Sequence, residues 1–374
     1  MKRVWRRGLA VMGLLVLVGL VGLRVRYGGG NPYPVLEVGP PVLAGTAMHM
    51  AVSFPEPIGN VTVNSEGRLF FTVHPESRPK QFKLLEWKAG QAQPFPSLAD
   101  QARFKTPLGL CVDRFNRLWL IDHGNHGFSG AHLWGIDLTN NQIFLDFSFP
   151  PDIAPKGSFL QDLKASPDGK TLIIADVSFW RKQPGLVVFD TEKQTARRIL
   201  NTHPAVMPQD YIIQNQIKTM TFFAGLVALK AGVDGLTITP DGAWLYFAAM
   251  NHEHLYRLPM SQLMAEKPEQ YLEVVARKPL NDGLTSDVNG RVLITDVEHQ
   301  AIFRWHPESK KMEMLIQDSR IRWADAMCFG PEGKLYLADS AIPEQMLQSK
   351  KHIKNEQPYF VWVIDYDGSG VPGQ

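Results

Sequence analysis

One short phrase is written along this chain six times, and a chain that repeats itself is restricted to few folds. "VDGLTITPDG" at 233–242 and "NDGLTSDVNG" at 281–290 each set an Asp-Gly pair ahead of an apolar run ending in a tight-turn dipeptide. Both continue into a further apolar run, "AWLYFAAMNHEHLYRLP" and "RVLITDVEHQAIFRWHP". Looser copies begin at Ile58 ("IGNVTVNSEGRLFFTVHP"), Pro107 ("PLGLCVDRFNRLWLIDHG"), Leu160 ("LQDLKASPDGKTLIIADV") and Ala324 ("ADAMCFGPEGKLYLADS"). Each reads as strand, turn, strand, because Asp-Gly and Asn-Gly tolerate the positive φ of a tight hairpin. A third strand follows each pair, as in "KLLEWKAG" and "GLVVFDTEKQ".

Antiparallel meanders repeated every ~40 to 70 residues protect their sheet edges by closing into a ring. The expected fold class is therefore all-β: a six-bladed β-propeller of antiparallel four-stranded blades over residues 46–374. Residues 46–54 are expected to supply the strand that closes the ring with the last blade. The repeats are uneven. Residues 201–232 are too long for a plain connection and carry their own apolar side chains, so they are expected to pack on the propeller, as rim decoration or as a cap over one tunnel mouth. A second insertion inside the last copy, "EQMLQSKKHIKNEQ", reads as solvated.

Composition bounds the partners. With 374 residues, 44% hydrophobic, and a formal net charge of +2, the chain buries a sizeable core and has no footprint for nucleic acid. Its two cysteines, Cys111 and Cys328, sit in apolar runs and read as buried hydrophobes, with no disulfide framework. Lys2, Arg3, Arg6 and Arg7 precede an uncharged run at 8–23, which Arg24 and Arg26 follow. Residues 1–27 therefore read as a signal anchor or signal peptide, and 28–45 as a linker. The excess of basic residues before the run puts the propeller outside the cytoplasm, periplasmic or secreted. Contact with a membrane is expected through this N-terminal hydrophobic anchor only.

Registering the repeats on the turn glycine and counting eight back gives Gly59, Leu108, Gln161, Asp234, Asp282 and Asp325; Asn116 takes the glycine's place in the second copy. The first strand of a propeller blade lines the central channel, so these positions form a ring at one mouth. Two carboxylates ~6 Å apart at an effective dielectric of ~20 repel by roughly 3 kcal/mol. Three of them, with no Lys or Arg in the register, either share protons or hold a cation, metal or organic ammonium. Gln161, Asp234, Asp282 and Asp325 are the candidate ligand-binding residues. A second series, Asp122, Asp176, Asp296 and Asp339, ends the second strands and reads as turn-stabilising acceptors for backbone N–H groups. "DHGNHG" at 122–127 reads as surface hydrogen bonding, "NHEH" at 251–254 as a hairpin turn, and Asn60-Val61-Thr62 matches a glycosylation sequon.

With these phrases in view, the chain resembles the Yellow and major royal jelly protein family, which includes L-dopachrome tautomerase-related members. "GRLFFTVHPESRPKQFKLLEW", "NRLWLIDHG", "GLVVFDTEKQTARRIL" with "HPAVMP", and "GVDGLTITPDGAWLYF" leading to "LPMSQL" carry the resemblance, from about Gly59 to Asp367. It implies a six-bladed propeller binding a small organic ligand of amine or catechol type, and a tautomerase (isomerase) if there is turnover. The chain departs from the insect members in lacking paired cysteines. More distantly it resembles the SMP-30/gluconolactonase propellers, which implies a lactone hydrolase with a divalent cation, calcium or magnesium, on Asp234, Asp282 and Gln161. The Glu ligand of that pattern has no counterpart, since Gly59 holds its register. A non-catalytic interaction scaffold is the third reading.

Overall fold

Each strand–turn–strand phrase folds as the two inner strands of a four-stranded antiparallel sheet, and six such sheets form the blades of a propeller. The computed structural model describes residues 2–374, except the side chains of Lys2, Arg3, Val4, Arg6, Arg7 and Ala10. The inner strands are Ile58–Val63, Pro107–Val112, Leu160–Ala165, Val233–Ile238, Leu284–Ser286 and Ala324–Phe329. The turns behind them hold Gly67, Gly169, Gly242, Gly290 and Gly333 at φ 84, 67, 73, 72 and 70°, the left-handed region where a Cβ is costly. Asn116 sits at φ 57° in the second blade, the one non-glycine residue type other than Asp that visits this region readily.

The ring closes as the sequence predicts. Met48–Phe54 pairs antiparallel with Tyr359–Ile364 and becomes the outer strand of the sixth blade, so the two ends of the propeller lock in one sheet. The core lies between blades. Val61, Val63 and Phe71 of the first blade pack on Ala326, Cys328 and Val361 of the sixth, and Cys111 is buried between the second and third. Both cysteines are free and buried.

The second aspartate series is built into this frame as backbone acceptors. Asp122 accepts from the N–H groups of Lys105 and Thr106 at 2.6 and 2.9 Å, Asp176 from Phe159 at 2.7 Å, and Asp339 from Trp323 at 2.8 Å. These donors lie just before the first strand of the same blade, so each carboxylate ties the end of one strand to the start of its neighbour. Asp296 instead accepts from Glu298 and His299, in the turn that follows it.

The irregular segments gather at one mouth. Within 201–232, Thr221–Phe222 and Val227–Ala228 form a hairpin, while Tyr211–Ile212 pairs in parallel with Asn31–Pro32 from the 28–45 segment. The Tyr33 hydroxyl, buried, donates to the Lys278 carbonyl at 2.6 Å, so this stretch is fastened to the propeller rather than spanning free. The insertion in the last copy, 344–357, is mostly exposed or half-buried, as expected, but it is ordered: it completes the helix Ile342–Gln345 and forms the helix Lys350–Asn355, with Gln345 and Ile353 buried. The uncharged N-terminal run lies in a helix, Lys2–Tyr27, with mostly exposed apolar side chains. Among the described residues no helix is long and apolar enough to cross a membrane. The side chains of the basic cluster Lys2, Arg3, Arg6 and Arg7 lie outside the described residues.

Asp176 tests the frame. Its fully buried carboxylate also pairs with Arg198 at 2.7 Å. Asp176→Asn removes a charge from a buried pair while keeping the shape, and a loss of about 2–4 kcal/mol is expected in chemical denaturation. An unchanged midpoint contradicts the bracing role.

Candidate functional site

Where the inner strands converge on the axis, each must make room for the next. All but the fifth carry an extra residue there: the pairing register shifts between Ile58 and Val61, Pro107 and Leu110, Leu160 and Leu163, Val233 and Leu236, and Ala324 and Met327. In such a bulge two consecutive residues face one partner, and their side chains are re-aimed. The second bulge position in the second and fourth blades, and the matching Gly283 of the unbulged fifth, lie against the neighbouring blade. A Cβ on Gly109, Gly235 or Gly283 would stand 2.2, 2.4 or 2.2 Å from the carbonyl oxygen of Gln161, Asp282 or Asp325. Glycine is forced there, which accounts for the repeated Asp-Gly pair: the aspartate faces the axis, and the glycine admits the next blade's backbone.

The result is a narrow neck lined by Asn60, Leu108, Gln161, Asp162, Asp234, Asp282 and Asp325. All four sequence-predicted residues meet in it. Asn60 and Asp162 were missed, because a register counted from the turn glycine names one residue per blade while a bulge turns two. A signal existed: the first and third blades carry Asn and Asp where the second, fourth and fifth carry glycine. Asn60 Nδ2 lies 3.5 Å from Asp162 Oδ1, so its sequon is buried in the channel rather than displayed. The expectation that no cation neutralises the ring holds for the register itself. One rung deeper, however, buried Lys164 lowers the Asp162 carboxyl against the larger effect of burial, which raises it.

Above the neck opens a cavity of about 240 Å³, sharing Gln161, Asp234 and Asp282 as its floor. Phe222, Phe223, Val227 and Leu229 of the 201–232 insertion roof it, so that segment is a cap over this mouth. Phe159, Phe179, Trp180 and Trp323 supply aromatic wall. The "NHEH" stretch is a turn, as expected, and Asn251 within it clamps the cap, donating to the Tyr211 and Leu229 carbonyls at 3.1 and 3.0 Å. "DHGNHG" is not surface hydrogen bonding, and that expectation is corrected. His123 is buried with Nε2 unpartnered, and His126 lines the cavity with Nε2 3.6 Å from Glu76 Oε1. The blade-to-blade fold of the loop turns inward two histidines that look solvated in sequence.

The electrostatics are one-sided. Among the described residues, no Lys or Arg lines the cavity or the neck. Burial first, and then the charges of Asp282, Asp162 and Asp325, raise Asp234 well above the usual carboxylate range. Burial likewise pushes Asp282 up to about 7, against hydrogen bonds from Trp323 and Asp234 that hold it down; Trp323 Nε1 donates to Asp282 Oδ2 at 2.7 Å. Asp325 is raised by burial and by Asp282. Asp234 Oδ2 and Asp325 Oδ2 are both buried without a hydrogen-bond partner. Two neighbouring carboxyls, Asp234 and Asp282, thus favour one shared proton over two charges.

A family described as Major royal jelly protein matches residues 106–355. No curated protein matches the chain. Among solved structures it is similar to regucalcin, a calcium-binding protein from Agrobacterium tumefaciens, at 15% identity and TM-score 0.55 over 87% of this chain and 98% of that one. It is also similar to a luciferin-regenerating enzyme (11% identity, TM-score 0.54, 87% and 97%) and to a gluconolactonase from Xanthomonas campestris (12%, 0.51, 88% and 98%). At such identities the likeness is one of fold.

The ring predicts a pH dependence. A carboxyl whose folded pKa lies above its unfolded value favours folding in its protonated form, and that contribution is lost as pH rises through the folded pKa. In chelator-containing buffer the melting temperature should therefore fall between about pH 5 and about pH 8, and Asp234→Asn should flatten the fall. Equal slopes in parent and variant contradict the assignment.

Proposed function

The chain belongs to the major royal jelly protein family, and from that premise we propose that its capped cavity binds a small organic cation, of amine or catechol-amine type, with its ammonium group on Asp234 and Asp282. One observation carries the reading: a buried carboxylate oxygen without a partner, Asp234 Oδ2, stands at the floor of an aromatic-walled cavity that, among the described residues, no Lys or Arg lines. A buried carboxylate left alone is costly, and a ligand ammonium supplies the missing partner as a charge-assisted hydrogen bond. The rings above it take the apolar body, and the cavity supplies little for an anion to hold.

If turnover accompanies binding, the floor suits tautomerisation. Asp282, held by Trp323, takes a proton from the ligand's carbon as general base and returns it to the ligand's oxygen as general acid, so the proton count is unchanged and nothing else is consumed. Gln161 orients the ligand through its amide.

The second reading, a metal-dependent lactone hydrolase, is favoured by donor type. Gln161, Asp234 and Asp282, with Asn60 and Asp162, offer only oxygen donors near the tunnel axis, the chemistry that suits calcium or magnesium. A bound ion would polarise a lactone carbonyl. Against it, among the described residues the ring carboxylates do not form a group of three with ligand atoms within 4.8 Å of one another; Glu344, His352 and Glu356 do. In either case the propeller works outside the cytoplasm, held by its N-terminal segment.

Calorimetric titration with dopamine separates the readings. Asp234→Asn and Asp282→Asn should each weaken binding at least about tenfold, or roughly 1.4 kcal/mol, while Asp176→Asn leaves the affinity of the folded protein unchanged. Dialysis against a chelator should leave amine binding intact. Loss of binding on chelation, restored by calcium, favours the metal reading. A reporter fused after Gln374 should be active only outside the cytoplasm, and cytoplasmic activity contradicts the location.

A further inference from the structure

Three large apolar side chains line the cavity and are at the same time open to water: Trp180, Phe223 and Leu347, 41, 60 and 56% exposed. They come from three separate segments: the loop leaving the second strand of the third blade, the tip of the cap, and the chain just past the helix Ile342–Gln345. Single exposed apolar residues are ordinary, but a cluster around one opening marks a contact surface. Phe223 and Leu347 are also held at φ 52 and 58°, which bulky residues rarely adopt, so the backbone itself presents them outward.

The N-terminal helix ends on the same rim. The Tyr27 hydroxyl donates to the Trp180 carbonyl at 2.7 Å, Arg26 Nη2 to the Arg181 carbonyl at 3.3 Å, and Lys230 Nζ to the Gly28 carbonyl at 2.9 Å. Arg24 donates to the Gly225 carbonyl in the cap. These contacts fix where an apolar helix, with Leu14, Leu15 and Val18 exposed, leaves the propeller: beside the cavity mouth, not at the far end of the tunnel. The rim is also basic. Arg24, Arg26, Arg181, Lys182, Lys218 and Lys230 belong to its segments, and Asp210 pairs with only one of them, Lys230 at 2.8 Å. Lys218 Nζ sits 5.3 Å from the Phe222 ring centre, next to Phe223.

Exposed aromatic residues, a basic collar and an apolar helix on one face have one common partner, an anionic lipid surface. We propose that this rim is a lipid-docking face, so that the cavity opens directly onto a membrane carrying anionic phospholipid. The proposal rests on the reading of the cavity as a ligand site only for what passes through the mouth; docking itself is measured without ligand.

The test uses the full chain, in which native Cys111 and Cys328 are buried and Phe223→Cys and Phe115→Cys each carry a polarity-sensitive probe. Phe115 is exposed in the turn behind the second blade's first strand, at the opposite end of the tunnel. With vesicles of phosphatidylcholine and phosphatidylserine, the probe at 223 should shift to the blue and be quenched by a bilayer-borne quencher. The probe at 115 should do neither, and phosphatidylcholine alone should give a weaker response at 223. Leu347→Cys should repeat the result at 223 and guards against a local defect of one variant. A probe at 223 as water-exposed as that at 115, on chains that float with the vesicles, overturns the docking, as does failure of the chain to bind the vesicles. Dopamine binding that survives in such a result leaves the ligand reading standing, and docking without dopamine binding removes that reading alone.

Discussion

Six inner strands cannot converge on one axis without crowding, and the way this chain relieves that crowding sets what the site contains. At the bulges of the second and fourth blades, and at the matching place in the unbulged fifth, the backbone of one blade lies against the next, so close that Gly109, Gly235 and Gly283 admit no Cβ. The residue before each of those glycines, Leu108, Asp234 or Asp282, is turned toward the channel instead. The backbone constraint thus comes first and the chemistry follows from it. Side chains placed where six chains meet are stripped of water, and carboxylates placed there acquire raised proton affinities from burial before any neighbouring charge acts.

How far this was legible in the sequence follows from what repeats. Strand order, turn glycines and the closing strand recur or complete a pattern, so the propeller and the positions Gln161, Asp234, Asp282 and Asp325 are readable by counting. Asn60 and Asp162 escape the count because a bulge doubles the residues aimed at the channel, an event of backbone geometry that leaves no spacing signal. Lys164 is two residues on from Asp162 on the same strand face, visible only once that strand's inward face is known. The cavity is harder still. Its roof and walls come from the cap at 201–232, the loop at His126 and the helices after Ala341, none of which repeats. Only their convergence on one mouth shows that the solvated-looking insertion of the last copy and the "DHGNHG" loop belong to the site.

The site then combines two opposite environments within one space. Its floor concentrates negative charge, and its roof is aromatic and apolar. A molecule that satisfies both is a cation with an apolar body, and the same pairing extends outward, where apolar rings and basic side chains share the rim. Charge changes sign between floor and rim. On the two readings proposed above, an anionic surface would be drawn to the opening but not into it, and a cationic ligand favoured inside, which would separate what docks from what binds.

The central claim is that the shared proton of Asp234 and Asp282 stands in for an absent cation. Titrating dopamine near neutral pH in buffers of different ionisation enthalpy measures the protons exchanged on binding. Displacement of that proton by the ligand's ammonium group predicts release of about one proton per molecule bound, abolished in Asp234→Asn. Binding with no proton released, in parent and variant alike, contradicts the account.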